Sequence, residues 1–506
     1  MLSWPSRKHL TVFGLVFVLL VLSSIHGTIR PNYAQWIRQD AITVEGSMDR
    51  SHIICSGDDP FEAEYGRTNI RLSRAYEGSY SRLQRFLRKA QSGEDITIAA
   101  IGGSVTKGHQ VNADEIWFHR LGEWLQASLG REITSVNGAA PATGSDYFSF
   151  CFPLHIPSNA DLIIVELAVN DEGIPEHVEN MENLLRGLLD LDNKPAVILA
   201  EVIAFSNGGM GGGGGRMHLP VAQYYDVPVI NHRHPLANHF ARYPQLVPPY
   251  FARDGWGNPD TRHVNARGHR DLAMLIASMI RDAACAMDES DSSTHGTSAK
   301  PKDVVDKDAQ DAVAVAEAGW PAQAHSWAQD GEVMPGIWMG PNEYGQLPRM
   351  RILEGWNPDA NHIVPPFHPT CLSTRSHDPR FNLTPAVAEG WEHWTHPDFL
   401  DKPYLVSHQP GSRVTFRLET NVGVVKMYSL RSRTFGLGTV ECWTDNERHK
   451  AVRVEGYWDN GPNIGRFATI RDDLPAGIHD VTCELLQETA DPQGGHEFRI
   501  ISIMSV

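Results

Sequence analysis

Five short runs rich in β-branched residues recur between residues 95 and 232: DITIAAIG, EITSVNG, DLIIVELAV, AVILAEVIAF and VPVINH. Segments with helical apolar spacing lie around and between them. Trp117, Leu121, Trp124 and Leu125 form one face, and Val178, Met181, Leu185 and Leu188 form another within residues 175–191. A last helix over 266–281 buries Leu272, Ile276, Met279 and Ile280, and Leu72, Leu83, Phe86 and Leu87 predict one helix over 69–90. Strands that alternate with helices require a parallel sheet covered on both faces. In such sheets ligands bind at the carboxyl ends of the strands, so the residues just after each strand carry the search.

The hydrophobic period then changes. Beyond residue 330, SRVTFRLETN, VGVVKMYSLR, GTVECWTDN, KAVRVEGYW, HDVTCELL and EFRIISIMSV alternate apolar with polar residues between Gly, Pro, Asn and Asp turns. That pattern predicts an antiparallel β-sandwich over 331–506. Between the two regimes, residues 286–330 are charged and poor in large apolar groups, the composition of a flexible linker. With 506 residues the chain exceeds one ordinary core, which suits two domains. The excess of 61 acidic over 44 basic residues, a formal charge of -17, disfavours nucleic acid as a partner.

The amino terminus departs from this soluble character. Residues 10–25, LTVFGLVFVLLVLSSI, carry no charge and follow Arg7 and Lys8. Within residues 1–30 the reading is an uncleaved type II anchor, with a cleaved signal peptide as the alternative. Residues 31–66 read as a stem. Either reading sends the rest of the chain across a membrane into the secretory pathway, at the Golgi or cell surface, or secretes it. The six cysteines suit an oxidising compartment but allow fifteen pairings. Cys442 and Cys483 fall in two expected strands, where they either pair or remain buried thiols. One sequon, Asn382-Leu383-Thr384, is a candidate glycosylation site, with Pro385 directly after it.

The stretch IAAIGGSVTKG, residues 98–108, admits a phosphate loop, a nucleophile or a turn. A phosphate loop needs Lys and Ser or Thr after Gly108, where His109 and Gln110 stand. The glycine run over 208–216 lacks the helix and acid of a dinucleotide site and reads as a mobile loop. Nothing in the sequence calls for a cofactor or a metal. A nucleophile needs a base, an acid to orient it and donors for the oxyanion. Asp260 precedes His263 by three in PDTRHVNARGH, so one short turn can hold the carboxylate against the imidazole. His269 competes for the base but reads better as a capping or packing residue. Gly138 follows the second strand and Asn170 the third, where a backbone N–H and a side-chain amide can face the same oxygen. Each alone is an ordinary turn former.

Together these residues resemble the SGNH (GDSL-like) hydrolases, whose four blocks are a serine after the first strand, a glycine after the second, an asparagine after the third and DxxH before the last helix. Ser104, Gly138, Asn170, Asp260 and His263 occupy those places in order, across roughly residues 94–284. The usual Gly-Asp-Ser is Gly102-Gly103-Ser104 here. An α/β-hydrolase elbow fits less well, because Thr106 stands where that motif has glycine.

The resemblance implies a flavodoxin-like three-layer α/β domain over 67–285. It implies Ser104, Asp260 and His263 as catalytic residues and Ser104, Gly138 and Asn170 as the oxyanion hole. The reaction would be hydrolysis of an acyl ester, acetyl foremost, on a polysaccharide or glycoconjugate. A further similarity, to fungal capsule-associated and cell-wall-associated SGNH proteins, suggests O-acetyl groups on glycans. The alternatives are a glycan O-acetyltransferase using the same triad and a non-catalytic glycan-binding scaffold. Trp443, Tyr457 and Trp458 in the sandwich either grip a polysaccharide or pack.

Overall fold

In the computed structural model the five β-branched runs form the parallel core of a six-stranded sheet. The structure describes residues 58–295, 346–357 and 364–506 apart from residues 377, 398 and 462, together with residues 55, 324–326 and 333–335. The strands are β1 (Arg74–Tyr76), β2 (Thr97–Gly102), β3 (Thr134–Asn137), β4 (Leu162–Glu166), β5 (Ala196–Glu201) and β6 (Val229–Asn231), in the order β1-β6-β5-β4-β2-β3. The strands from β2 to β6 pair in parallel, and β1 adds an antiparallel edge beside β6. Without that edge the parallel order is that of flavodoxin, and its switch point lies between β2 and β4.

Residues alternate between two cores because successive strand side chains point to opposite faces. Ile98, Ala100, Leu162, Ile164 and Ile198 face one layer with the helix Trp117–Leu129 and the last helix. Ala99, Ile101, Ile163, Val165 and Leu199 face the other, with the helices Ser145–Cys151 and Glu176–Leu189. Fully burying each such side chain is worth about 1.5–3 kcal/mol before entropy is counted.

The second core does not end at the domain edge. Phe367, Tyr404, Tyr428, Leu430, Ile501 and Met504 of the carboxyl-terminal half pack into it. That half is the expected antiparallel sandwich. One sheet orders Glu392–His396, Phe399–Ser407, Phe498–Ser505, Val425–Arg431 and Ile464–Arg471, and Thr370–Ser373 also pairs with Phe498–Ser505. The other orders Val387–Glu389, Arg413–Thr420, Gly477–Leu485, Thr439–Thr444 and Val452–Glu455. Val414, Phe416, Met427, Val481 and Ile500 fill the space between them.

All six cysteines pair. Cys442–Cys483 joins neighbouring strands, Cys55–Cys285 ties the segment before the first helix to the last helix, and Cys151–Cys371 links the α/β unit to the sandwich.

Four expectations change. The helix expected over 69–90 is two, Arg67–Ser73 and Ser81–Ser92, with β1 between them. Gly78 (φ +66°) and Tyr80 (φ +58°) break it, and the Ser79 N–H donates to Asp226 Oδ1 at 2.8 Å. The end of the expected stem is the helix Pro60–Tyr65, whose Phe61 is buried in the first core. The last helix runs from Ala266 to His295, ten residues into the expected linker, and Ala324–Ser326 pairs with Val333–Pro335. Finally, the end of the glycine run is closely packed backbone that opens the helix Gly215–Tyr224, where the sequence suggested a loop with no helix after it. A Cβ at Gly213 would lie 2.2 Å from Asn207 Oδ1, at Gly214 2.5 Å from Asp171 Cβ, and at Gly215 2.7 Å from the Glu201 carboxyl carbon. Those glycines serve close approach to buried polar groups.

The apolar segment over 10–25, the first part of the stem and the middle of the linker lie outside the described residues. Among the described residues no helix is long and apolar enough to cross a membrane.

Candidate active site

Ser104 follows β2 after the single residue Gly103, at the first position of the four-residue helix Ser104–Lys107. The helix stops at Gly108 (φ +87°), whose N–H bonds to the Val105 carbonyl at 2.9 Å. Two glycines permit this tight exit. A Cβ on Gly102 would lie 2.1 Å from Thr106 Oγ1, and one on Gly103 would lie 2.0 Å from Asn170 Oδ1. The Asn170 amide thus occupies the space that a side chain at position 103 would need.

His263 and Asp260 sit on β8 (Pro259–Val264), which pairs with β7 (Phe251–Arg253) in an antiparallel hairpin. The sequence suggested a short turn; the structure uses a strand with a register shift. Asp254 braces the hairpin tip by accepting from the N–H groups of Trp256 (2.9 Å) and Asn258 (2.8 Å). Ser104 Oγ lies 2.7 Å from His263 Nε2, and His263 Nδ1 lies 2.6 Å from Asp260 Oδ2. The Arg262 N–H donates to Asp260 Oδ1 at 3.0 Å.

Burial lowers the His263 pKa, Asp260 partly restores it, and His109 and Arg262 lower it further. For Asp260, burial acts upward but is outweighed by hydrogen bonds from His263 and the Arg262 N–H, so its carboxylate is held below the usual range. A neutral imidazole beside an ionised carboxylate is the state a general base needs. His269 is not that base. It is buried, accepts from the Trp117 N–H through Nδ1 at 3.2 Å, and burial pushes its pKa down to about 3.

The oxyanion residues divide. Asn170 lies against Gly103, and its Oδ1 has no hydrogen-bond partner among the described residues. The Ser104 N–H, at the helix start, is likewise unpaired there. Gly138 does not fit the donor role, because its N–H already donates to the Ala100 carbonyl at 2.9 Å. Its lack of a Cβ serves packing, since that atom would lie 2.4 Å from the His155 carbonyl oxygen. The following N–H groups, Ala139 and Ala140, donate to Asn137 Oδ1 and the Gly102 carbonyl. Pro141 has none. Past the left-handed Ala142 (φ +59°), the N–H groups of 142–144 have no partner among the described residues.

Sequence reasoning missed a second cluster of the same residue types. Asp171 follows Asn170 and is fully buried. It lies 2.7 Å from His218 Nε2 and 3.4 Å from His177 Nδ1, and it accepts from the Ser145 N–H at 2.8 Å. Ser145 Oγ lies 3.1 Å from His177 Nδ1. Burial acts upward on Asp171, but His218, His177 and Ser145 together hold its pKa below the usual value. The Asp171 carbonyl accepts from the Gly214 N–H at 2.9 Å and from the Asn207 side chain. The cluster therefore anchors the turn that carries Asn170. The only signal in the sequence was Asp171 itself, beside Asn170.

Among the described residues, one group has ligand atoms close enough for a metal: His109, Asp260 and His263, within 4.8 Å of one another. Both ring nitrogens of His263 are engaged, by Ser104 and Asp260, so this group fits a triad better than a metal centre. In the sandwich, Trp443 is buried, with Arg448 4.7 Å above its ring, so it packs. Tyr457 and Trp458 are half-buried. Arg466 stacks on Trp458 at 5.6 Å and reaches Glu172 Oε1 at 3.8 Å, which places the sandwich beside the Asn170 turn. Asn382 is exposed after the short turn Pro379–Phe381.

No protein-family model matches the sequence, and no curated protein matches it. The fold is similar to that of a crystallised two-domain esterase active on acetylated mannans, with a TM-score of 0.56 and 18% identity over 86% of this chain and 98% of that one. The crystal of such an esterase with mannopentaose matches at the same TM-score and identity, covering 97% of that chain. The shared fold includes both halves of this chain.

Proposed function

We propose that the chain is a serine esterase of the SGNH type that removes acyl groups, acetyl foremost, from a polysaccharide. One observation carries this reading: Ser104, His263 and Asp260 form a continuous hydrogen-bonded chain, at 2.7 and 2.6 Å, at the switch point of a flavodoxin-like sheet. Ser104 Oγ attacks the ester carbonyl as His263 Nε2 takes its proton, and Asp260 fixes the tautomer and stabilises the imidazolium. The Ser104 N–H and the Asn170 amide hold the tetrahedral oxyanion. One lost donor of this kind costs about 3 kcal/mol of transition-state stabilisation. As the acyl–sugar C–O bond breaks, His263 gives the proton to the departing sugar oxygen, and water then attacks the acyl-enzyme by the same steps to release the acid and free Ser104.

The fold shared with an esterase active on acetylated mannans supports an acetylated polysaccharide as the substrate class. The approach of Arg466, which lies over Trp458, to Glu172 supports a site bordered by both halves. Three disulfides and the apolar segment over 10–25 support a place in the secretory pathway, anchored or secreted. The test is acetate release from acetylated glucomannan by the purified chain and by Ser104→Ala. The reading expects release only by wild type, and equal release by both would overturn it. Acetyl appearing on an added sugar acceptor in place of free acetate would move the assignment to a transferase.

A further inference from the structure

Beneath the nucleophile lies a carboxyl group that the mechanism above does not use. Glu166 ends β4 opposite Gly102 of β2, and its side chain is completely buried. Thr106, two residues after Ser104 in the same short helix, donates its hydroxyl to Glu166 Oε2 at 2.8 Å. Trp117 Nε1–H can only donate, and it lies 3.3 Å from Thr106 Oγ1; the hydroxyl keeps its proton and a second lone pair for the Glu166 carboxyl. Glu166 Oε1 is buried with no partner among the described residues. The missing Cβ of Gly102 is what lets Thr106 descend to this contact, because that atom would lie 2.5 Å from Thr106 Cβ.

We propose that Glu166, in its neutral form, is a positioning residue that holds the nucleophile helix through Thr106, and that its ionisation loosens Ser104 and switches the esterase off at alkaline pH. The inference rests on the esterase reading. An ionised Glu166 would bring an uncompensated charge into a closed site, with one oxygen unpaired, and water entering to solvate it would displace the helix. The other charge acting on it is the Asp171 carboxylate, of the same sign, and among the described residues no cation offsets it. Burial is the main cause that pushes its pKa up, to about 8; the two hydrogen bonds from Thr106 only partly counter it, and Asp171 adds to it. The neutral carboxyl therefore prevails at pH 7, and its contribution to stability, full at low pH, is lost as pH rises through the folded value.

The test compares pH profiles of kcat and KM for wild type, Glu166→Gln and Thr106→Val on acetylated glucomannan. Wild type should lose kcat above about pH 8 with KM little changed. Glu166→Gln keeps an acceptor for Thr106 without a titrating group, so its kcat at pH 7 should stay within about threefold and the alkaline fall should vanish. Thr106→Val should lower kcat about tenfold at pH 7 with KM within about twofold, the scale of one lost internal hydrogen bond. A fall in Glu166→Gln identical to that of wild type would overturn the inference. Should that variant not fold, Thr106→Val with unchanged kcat would overturn it. Failure of the esterase reading itself looks different: wild type would release no acetate at any pH.

Discussion

The α/β unit holds two groups of serine, histidine and aspartate, and they differ in access and in sharing. In Ser104–His263–Asp260 each histidine nitrogen serves one partner, and the Asp260 and His263 side chains keep 19% and 12% of their exposure. In the other group Asp171 has no exposure and is shared by His218, His177 and the Ser145 N–H. The first keeps its serine and its acid partly open, whereas the second buries Ser145 and Asp171 completely against the turn bearing Asn170. Residue types alone do not distinguish a reaction centre from a support. An unshared base beside an accessible hydroxyl does.

The contrast breaks most visibly at the serines. Ser104→Ala should lower kcat by about 10⁶-fold, as loss of a triad serine does elsewhere, while Ser145→Ala should change it by less than about tenfold. Rates of acetate release measure both. The aspartates should part in a different way. Asp260→Asn should lower kcat about 10⁴-fold and leave stability nearly unchanged. Asp171→Asn should cost about 3–5 kcal/mol in denaturant unfolding, because it removes the partner of buried imidazoles.

Gly103→Ala joins the two regions, since its Cβ would fall 2.0 Å from Asn170 Oδ1. Displacing that amide should lower kcat about 10²-fold, the scale of one oxyanion donor, with little effect on unfolding.

The smallest effects are in pH. The lowered His263 pKa means that kcat/KM should rise with pH through a midpoint below the ordinary histidine value of 6.5. Asp171 should act on stability instead. Its depressed value contributes stability that is present above the ordinary value of 3.8 and lost as pH falls through the folded one. Thermal melts of wild type and Asp171→Asn in acid measure that difference.

The parallel strands, the sandwich and the Asp260–His263 contact were legible because they rest on local period and on a short spacing, whereas the arrival of Ser104 at His263, 159 residues away, followed only from the resemblance. Ile98 and Ile101 announce a strand buried on both faces, and Asp260 three before His263 already limits their separation. What was not legible depends on where distant backbone arrives. Gly138 looked like an oxyanion donor until the Ala100 carbonyl took its N–H. The glycines over 213–215 read as a mobile loop until Asn207, Asp171 and Glu201 came to lie against them. Glu166 was hidden in an otherwise apolar strand, and its meaning comes from Thr106 across the sheet. Gly103 is explained only by the Asn170 side chain, which comes from the turn after the neighbouring strand.

The most direct test of the account is to label the wild-type chain with a fluorophosphonate that reacts only with activated serines, and to locate the adduct by peptide mass spectrometry. The account predicts a single adduct on Ser104, abolished by His263→Ala, with Ser145 unmodified. An adduct on Ser145, or none on Ser104 in protein that releases acetate, would contradict it.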